Sequence, residues 1–185
     1  DLVIQSASLL SPWAMIGRTD AVATALSQAG LGVQLPAQLP VLMTVMQALR
    51  SVDFRGPVAN LSFPDVSHVI LDRLDLAPTI GLGNVSIQHL RVHAAVREKI
   101  LCDRGSLDDV PLIRLVGHHN QVYGVMQAQP PENRGDYCRV YLGEAGERAD
   151  ELAYQGCPMK PGIDYNVIAA AAALPVLLAL LPDAE

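Results

Sequence analysis

The sequence predicts an α/β protein in which a parallel sheet is followed by an α+β domain with an antiparallel sheet. Short β-rich apolar runs alternate with helical patterns over residues 1–101, as in a parallel sheet with helices on its faces. Beyond residue 101 the extended runs follow one another with a turn between them, which is typical of an antiparallel sheet. Half of the 185 residues are apolar and 17% are charged, so the chain has enough apolar material for a folded core.

The first part of the chain is predicted to begin with a strand and to hold two more. Residues 2–7 are a short apolar run, typical of a strand buried on both faces, and we expect the fold to have an element upstream of it. The elements that follow are helices over 19–28 and 40–52, a strand over 58–61, a helix over 66–74, a strand over 79–81 and a helix over 85–101. The second helix has one apolar face at helical spacing, formed by Leu39, Leu42, Met43, Met46 and Leu49.

The second part is predicted to combine strands with two closing helices. The strands are expected over 111–116, 122–129 and 137–142, with a turn at 130–136. The helices are expected over 147–154 and 166–181, with a Gly/Pro-rich connection at 156–162 between them. The apolar run 167–181 has 15 residues and contains Pro175, whereas a membrane span takes about 20. We therefore predict a buried helix, no membrane contact, and a boundary near residue 81 that separates domains 1–80 and 81–185.

Composition excludes some classes of function. The net charge is −6 and no basic run is present, which argues against a protein that binds nucleic acid. The cysteines, Cys102, Cys138 and Cys157, are scattered and form no CxxC pair, which is typical of reduced thiols in the cytoplasm. The sequence opens at Asp1 on an apolar run without the basic segment of a signal peptide, so we expect a cytoplasmic location.

The helix predicted over 85–101 starts at a glycine turn and has polar side chains on one face. The segment Gly81–Ser86 (GLGNVS) follows a strand, and its glycines allow close approach of a ligand to the helix N-terminus. Its third fingerprint position is Ser86, so a tight turn beside a ligand is favoured over a dinucleotide fingerprint. Gln88 and Arg91 lie three residues apart on one face. Arg91 suits a carboxylate or phosphate clamp, and a surface arginine is the alternative.

Two pairs of histidines are candidates for chemistry. His89 and His93 have the i, i+4 spacing of metal ligands, but Leu90 stands where a general-base glutamate would, and no third ligand is evident, so no metal site is predicted. The segment 116–120 (VGHHN) places His118 and His119 directly after an apolar strand and a glycine. One of the two is expected to face a site as an acid or base, with exposed loop histidines as the alternative.

The order of these motifs resembles the lactate/malate dehydrogenase superfamily, including its branch of NAD-dependent glycosidases. The matching pieces run over about residues 1–125 and are SAS (residues 6–8), NLSFPD (60–65), GLGNVSIQHLR (81–91) and LVGHHN (115–120). At the start of the helix within residues 81–91, the sequence is more similar to the glycosidase branch than to the rest of the superfamily. The resemblance implies that residues 1–80 are the C-terminal half of a Rossmann-like cofactor domain, and that residues 81–185 are an α+β substrate and catalytic domain.

The resemblance also implies roles for single residues. His119 matches the catalytic histidine, Arg91 matches the arginine that holds the substrate carboxylate, and Gln88 stands where the family has the aspartate that pairs with the histidine. The residues implied on the cofactor side are Ser6, Ala7, Ser8, Asn60 and Asn84. Asn60 is a candidate replacement for the family's asparagine, whose place before Pro64 is taken by Phe63. Gly83 stands where the glycosidase branch has its metal-ligating cysteine.

These matches predict an NAD(P)-dependent oxidoreductase that transfers hydride to or from a small anionic hydroxy- or amino-acid-like substrate, with NAD or NADP as cofactor. Because Gln88 supplies no charge to His119, proton transfer is expected to be weaker than in the family. The alternatives are an NAD-dependent glycosidase-like enzyme and a degenerate, non-catalytic domain that binds a ligand or partner. A homodimer is expected, because residues 39–49 and 167–181 carry more apolar surface than a small domain buries.

Overall fold

A computed structural model describes residues 1–11, 14, 17–159 and 164–181. It has a three-stranded parallel sheet and a separate three-stranded antiparallel sheet, which confirms the predicted fold class. The chain divides into two compact units, Asp1–Gly83 with Pro175–Glu185, and Asn84–Leu174. No helix among the described residues is long and apolar enough to cross a membrane. The three cysteines are free.

The first unit holds the parallel sheet in the order β1-β2-β3. Its elements are β1 (Val3–Gln5), α1 (Ala21–Ala29), α2 (Leu35–Ser51), β2 (Val58–Asn60), α3 (Pro64–Asp72) and β3 (Ile80–Gly81). Asp20 caps α1, because its Oδ1 accepts a hydrogen bond of 3.1 Å from the Ala23 amide. The apolar face of α2 packs in a core around Leu42, Leu71 and Leu76. Because the three strands are parallel, their carboxyl ends lie at the same edge of this sheet.

Two details of the first unit differ from prediction. Helix α2 begins at Leu35, five residues earlier than predicted, with Pro40 inside it. A proline removes one helical hydrogen bond, and the apolar face that packs against α3 compensates for it here. The prediction that β1 is buried on both faces is wrong for Ile4, which is 50% exposed. Strand β1 pairs only with β2 among the described strands, so it forms an edge of the sheet.

The second unit holds the antiparallel sheet in the order β4-β5-β6. Its elements are α4 (Asn84–Cys102), β4 (Ile113–Val116), α5 (Gln121–Gln127), β5 (Arg139–Leu142), β6 (Glu147–Arg148) and α6 (Asp164–Ala179), whose last residues belong to the first unit. One face of α4 packs through Val92 and Val96 against α5 and the sheet. The other buried members of this core are Val125, Cys138, Val140, Ala153 and Tyr154. Helix α4 therefore contributes one side of the core of this unit.

Two elements of the second unit correct the prediction. The predicted strand 122–129 is helix α5, because Val122, Val125 and Met126 are buried at helical spacing. The predicted helix 147–154 is strand β6 followed by a 3₁₀ helix, Asp150–Tyr154. The Asp150 carboxylate accepts a hydrogen bond of 2.9 Å from the Val140 amide, which fixes this segment beside β5. Part of the predicted connection, residues 160–162, lies outside the described residues.

Candidate functional site

The loop between β4 and α5 carries the two adjacent histidines. Its main chain is held locally, since the His118 amide donates to Gln121 Oε1 at 2.6 Å and the Asn120 amide donates to His118 Nδ1 at 3.3 Å. His118 is exposed and His119 is half-buried. The two neighbours therefore differ in exposure, and the expectation that one of them faces a site stays a prediction.

Asn84, the first residue of α4, contacts the ring of His119. Its Nδ2 lies 2.8 Å from His119 Nδ1, across 35 positions of sequence. Because an amide nitrogen only donates, Nδ1 accepts and the neutral ring carries its proton on Nε2. Asn84 thus holds the ring of His119 and, with Nδ2 in this position, favours the tautomer whose proton is on Nε2. The cofactor role implied for Asn84 stays a prediction, and the contact with His119 was not foreseen.

Gln88 holds the main chain of the same loop. Its side chain is fully buried, and Nε2 donates to the His118 carbonyl at 3.1 Å. Its Oε1 has no hydrogen-bond partner among the described residues and lies against Gly117, where an added Cβ would be only 2.0 Å away. A side chain at position 117 would therefore force the Gln88 amide to move. The ring contact that the resemblance implies for position 88 is made by Asn84, one helical turn earlier.

Asn84 and Gln88 together form an amide clamp on the loop. They lie four residues apart, so they share one face of α4. One amide holds the ring of His119 and the other holds the peptide that precedes it. The i, i+4 spacing from Gln88 is the sequence signal that could have identified Asn84.

Arg91 is engaged with main-chain carbonyls. Its Nη2 donates to the carbonyls of Gln155 at 3.1 Å and Cys157 at 3.0 Å, on either side of Gly156. Gly156 has φ +93°, and a Cβ there would lie 3.4 Å from the guanidinium. A guanidinium binds a carboxylate or phosphate through two parallel hydrogen bonds, donated either by Nη1 and Nη2 or by Nε and Nη2. Both arrangements use Nη2. Since both Nη2 hydrogens are used, Arg91 in this conformation cannot make a two-pronged contact with a ligand, and its Nε is buried without a hydrogen-bond partner among the described residues.

His89 and His93 lie on another part of α4. Their rings are roughly stacked, with centroids 6.5 Å apart and planes at 25°. Burial lowers the pKa of His93, and its electrostatic interactions with Arg97 and His89 lower it further. No group of three His, Cys, Asp or Glu side chains in the described part of the chain could hold a metal ion.

The cofactor-side candidates lie at the carboxyl ends of β1 and β2, in the first unit. Ser6 and Ala7 are exposed, and Ser8 donates its hydroxyl to the Leu10 carbonyl at 3.1 Å. Asn60 is fully buried: Nδ2 donates to the Ser62 carbonyl at 3.1 Å, and Oδ1 accepts from the Ser62 amide at 2.9 Å. Its amide organises the end of β2, and the cofactor role of Asn60 stays a prediction.

Sequence reasoning also missed Gln38 of α2. Its buried side chain donates to the Leu10 carbonyl at 2.6 Å and accepts from the Ser62 hydroxyl at 2.8 Å. It thereby ties the loop after β1 to the segment after β2. A lone glutamine within an apolar helical stripe was the only signal for it in the sequence.

No family model, curated protein or solved structure matches this chain. The resemblance to the dehydrogenase superfamily thus rests on the order and spacing of its motifs alone.

Proposed function

We propose that this chain carries the acid–base part of an NAD(P)-dependent oxidoreductase acting on a small anionic hydroxy- or amino-acid-like substrate. The observation that supports this most directly is the 2.8 Å contact between Asn84 and His119. A histidine whose ring is held by a second side chain, in a loop at the end of a strand, is a recurring arrangement in acid–base catalysis. The motif order of the sequence supplies the reaction class.

The orientation of the Asn84 amide determines what His119 can do. With Nδ2 donating to Nδ1, the neutral ring can only donate a hydrogen bond from Nε2, which polarises a substrate carbonyl. To take the proton of a substrate hydroxyl, Nε2 must be unprotonated and Nδ1 must carry hydrogen. A half-turn of the Asn84 amide presents Oδ1 to that hydrogen. We infer that this half-turn converts His119 from hydrogen-bond donor to base.

Oxidation of the substrate then requires two transfers. Bound NAD(P)⁺ would supply the chemistry of hydride acceptance from the substrate carbon. His119 takes the hydroxyl proton at Nε2 and becomes imidazolium, with its Nδ1 hydrogen on Asn84 Oδ1. In the reverse direction the imidazolium returns that proton to the carbonyl oxygen.

Binding of the cofactor and the anion is supported unevenly by the candidate residues. Ser6 and Ala7 are exposed at the carboxyl end of a parallel strand, the usual position of a cofactor site in such sheets, and therefore fit this role. Asn60 does not fit it, because its amide is buried and used within its own segment. In this conformation Arg91 cannot hold an anionic substrate by two parallel hydrogen bonds, because Nη2 is occupied.

The proposal is tested by calorimetric titration of NAD⁺ and NADP⁺ into the protein at its full natural length. We expect one of them to bind, and we expect a panel of small 2-hydroxy and amino acids to include one oxidised substrate. His119→Ala should keep cofactor affinity and reduce kcat by about 10²–10⁴-fold. His89→Ala is the matched control on α4 and should keep kcat. If neither NAD⁺ nor NADP⁺ binds, the proposal is overturned.

A second candidate, a non-catalytic domain that binds a ligand or a partner, is favoured by the engagement of Arg91. An arginine that holds two main-chain carbonyls is well explained as a structural tie of residues 155–157. Persistence of ligand binding and biological effect in His119→Ala would select this candidate over the enzyme.

A further inference from the structure

Residues 155–158 are a surface segment that contacts the guanidinium group of Arg91, and we call them the Arg91 flap. The segment is anchored at both ends: Tyr154 before it is buried, and the Met159 amide after it donates to the Met126 carbonyl at 2.8 Å. Between these anchors all four residues are exposed. A movement of the flap therefore leaves the core of its unit intact.

Arg91 supplies most of the hydrogen bonds that hold the flap. Its Nη2 binds the carbonyls of Gln155 and Cys157. Among the described residues, the one other hydrogen bond of the flap is a long one, 3.4 Å, donated by the Gln155 amide. The Gly156 main chain lies against the guanidinium, because a Cβ there would be 3.4–3.6 Å from three of its atoms. In this closed state the flap therefore covers the group that would bind an anion.

The contact with the flap leaves Arg91 incompletely paired. Its Nε is buried and has no hydrogen-bond partner among the described residues. A buried donor without a partner is unfavourable. A carboxylate held by Nε and Nη2 through two parallel hydrogen bonds would satisfy that donor, and such charge-assisted pairs are stronger than hydrogen bonds to a neutral carbonyl. A carboxylate therefore has an advantage over the flap as a partner of Arg91.

We propose that the Arg91 flap is an autoinhibitory contact, which a small carboxylate must displace from the guanidinium in order to bind there. Nη2 cannot serve both, because each of its two hydrogens already has a carbonyl. The affinity for the carboxylate is then reduced by the fraction of chains in which the flap is closed. The proposal rests on the anion-binding role proposed for Arg91, but not on the cofactor or on His119.

NMR relaxation of the whole chain tests whether Arg91 holds the flap. The order parameters of the Gly156 and Cys157 amides should be about 0.85 in the unmodified chain and below about 0.6 in Arg91→Met, which keeps the aliphatic stem and loses the donors. Saturating malonate, a small dicarboxylate, should lower them in the unmodified chain as Arg91→Met does. Sodium chloride at the same ionic strength should not. The Met159 amide should stay ordered throughout, because it bonds to the Met126 carbonyl.

Calorimetric titration of malonate tests the competition. Gly156→Ala strains the closed flap, where φ is +93°, and should tighten the Kd for malonate about five- to thirtyfold, because more chains are then open. Gly146→Ala is the matched control. Its φ is +71°, but a Cβ there meets nothing within 4 Å, so the strain lies away from Arg91 and the Kd should not change.

The outcomes separate a displaceable flap from a permanent one. A permanent structural tie predicts that malonate either fails to bind or binds with the flap still ordered, and both results overturn the proposal. Flap amides that stay ordered in Arg91→Met, or an unchanged Kd in Gly156→Ala, overturn it as well. Binding of NAD⁺ and NADP⁺ is measured separately, so failure of the proposed oxidoreductase function is distinguishable from failure of the flap.

Discussion

Asn60 is the last residue of β2 in the first unit and Asn84 is the first residue of α4 in the second unit, and their amides have different partners. Asn60 bonds to Ser62 and Ser67, a few residues away, and is fully buried. Asn84 bonds to the imidazole of His119, 35 positions away, and is half-buried. An amide that is satisfied by its own segment shapes the backbone. An amide that holds a titratable ring from a distant segment controls that ring, and this is where we place the chemistry.

The same contrast extends to charge. Among the described residues of the first unit, the other buried polar side chains are neutral: Gln5, Gln38, Ser62 and Ser67. The second unit instead buries the carboxylate of Asp150 between Arg139 and Arg148. The two units should therefore respond differently to loss of a polar group and to pH.

The largest effect is expected for Asp150→Ala. This change leaves Arg139, Arg148 and the Val140 amide without their shared acceptor. It should lower the free energy of unfolding by about 2–4 kcal/mol, because the carboxylate and the amide are buried whereas the guanidinium groups are 35% and 50% exposed. Asn60→Ala, which removes only neutral hydrogen bonds, should lower it by about 1–3 kcal/mol. Urea unfolding at pH 7 measures both. Glu151→Ala removes an exposed carboxylate next to Asp150 and should change it by less than about 0.5 kcal/mol.

The acid dependence of stability checks the same carboxylate. Burial raises the pKa of Asp150, but its hydrogen bonds with Arg148 and the Val140 amide and the charge of Arg148 outweigh this, so the pKa lies below its ordinary value of 3.8. The folded state then binds the proton less readily than the unfolded state. This contribution is complete above about pH 4 and is lost as pH falls through the lowered pKa. An equally steep acid loss in Asp150→Asn would contradict this assignment.

A smaller effect is expected from the close contact of Gly117 with Gln88. Gly117→Ala forces the buried Oε1 to move and strains the Gln88 bond to the His118 carbonyl, which should cost about 1–3 kcal/mol. Gln88→Ala removes the obstructing atom. The double variant should therefore lose less stability than the sum of the single variants, by at least about 0.5 kcal/mol.

The matched control for this contact is Gly32→Ala in the first unit. A Cβ at Gly32 meets nothing within 4 Å, so stability should change by less than about 0.5 kcal/mol. Additive effects of Gly117→Ala and Gln88→Ala would show that the two residues do not interact as the distance implies.

The sequence predicted elements whose signals are local and missed contacts that depend on distant segments. The three parallel strands were recognisable because each is short, apolar and bounded by turn residues. Residues 122–129 were misassigned because valine and tyrosine favour strands, while burial at helical spacing favoured α5. The engagement of Arg91 depends on the carbonyls of Gln155 and Cys157, more than 60 residues away. No pattern around Arg91 itself encodes that partner.

The smallest change in stability, and the closest test of the contrast between Asn60 and Asn84, is expected for Asn84 variants. Asn84→Ala should cost about 0.5–1.5 kcal/mol, because one hydrogen bond of a half-buried group is lost. The more informative measurement is the tautomer of His119, read from the ¹⁵N shifts of its ring above pH 8. In the unmodified chain the proton should lie on Nε2. Asn84→Asp presents only acceptors, so the proton should move to Nδ1.

His118 is the internal control for this measurement. Its Nδ1 accepts from the Asn120 amide, so its proton should stay on Nε2 in every variant. If His119 already carries its proton on Nδ1 in the unmodified chain, Asn84 presents Oδ1 and no half-turn of the amide is needed before His119 acts as a base. If Asn84→Asp leaves the tautomer unchanged, Asn84 does not control the ring, and its difference from Asn60 is one of position only.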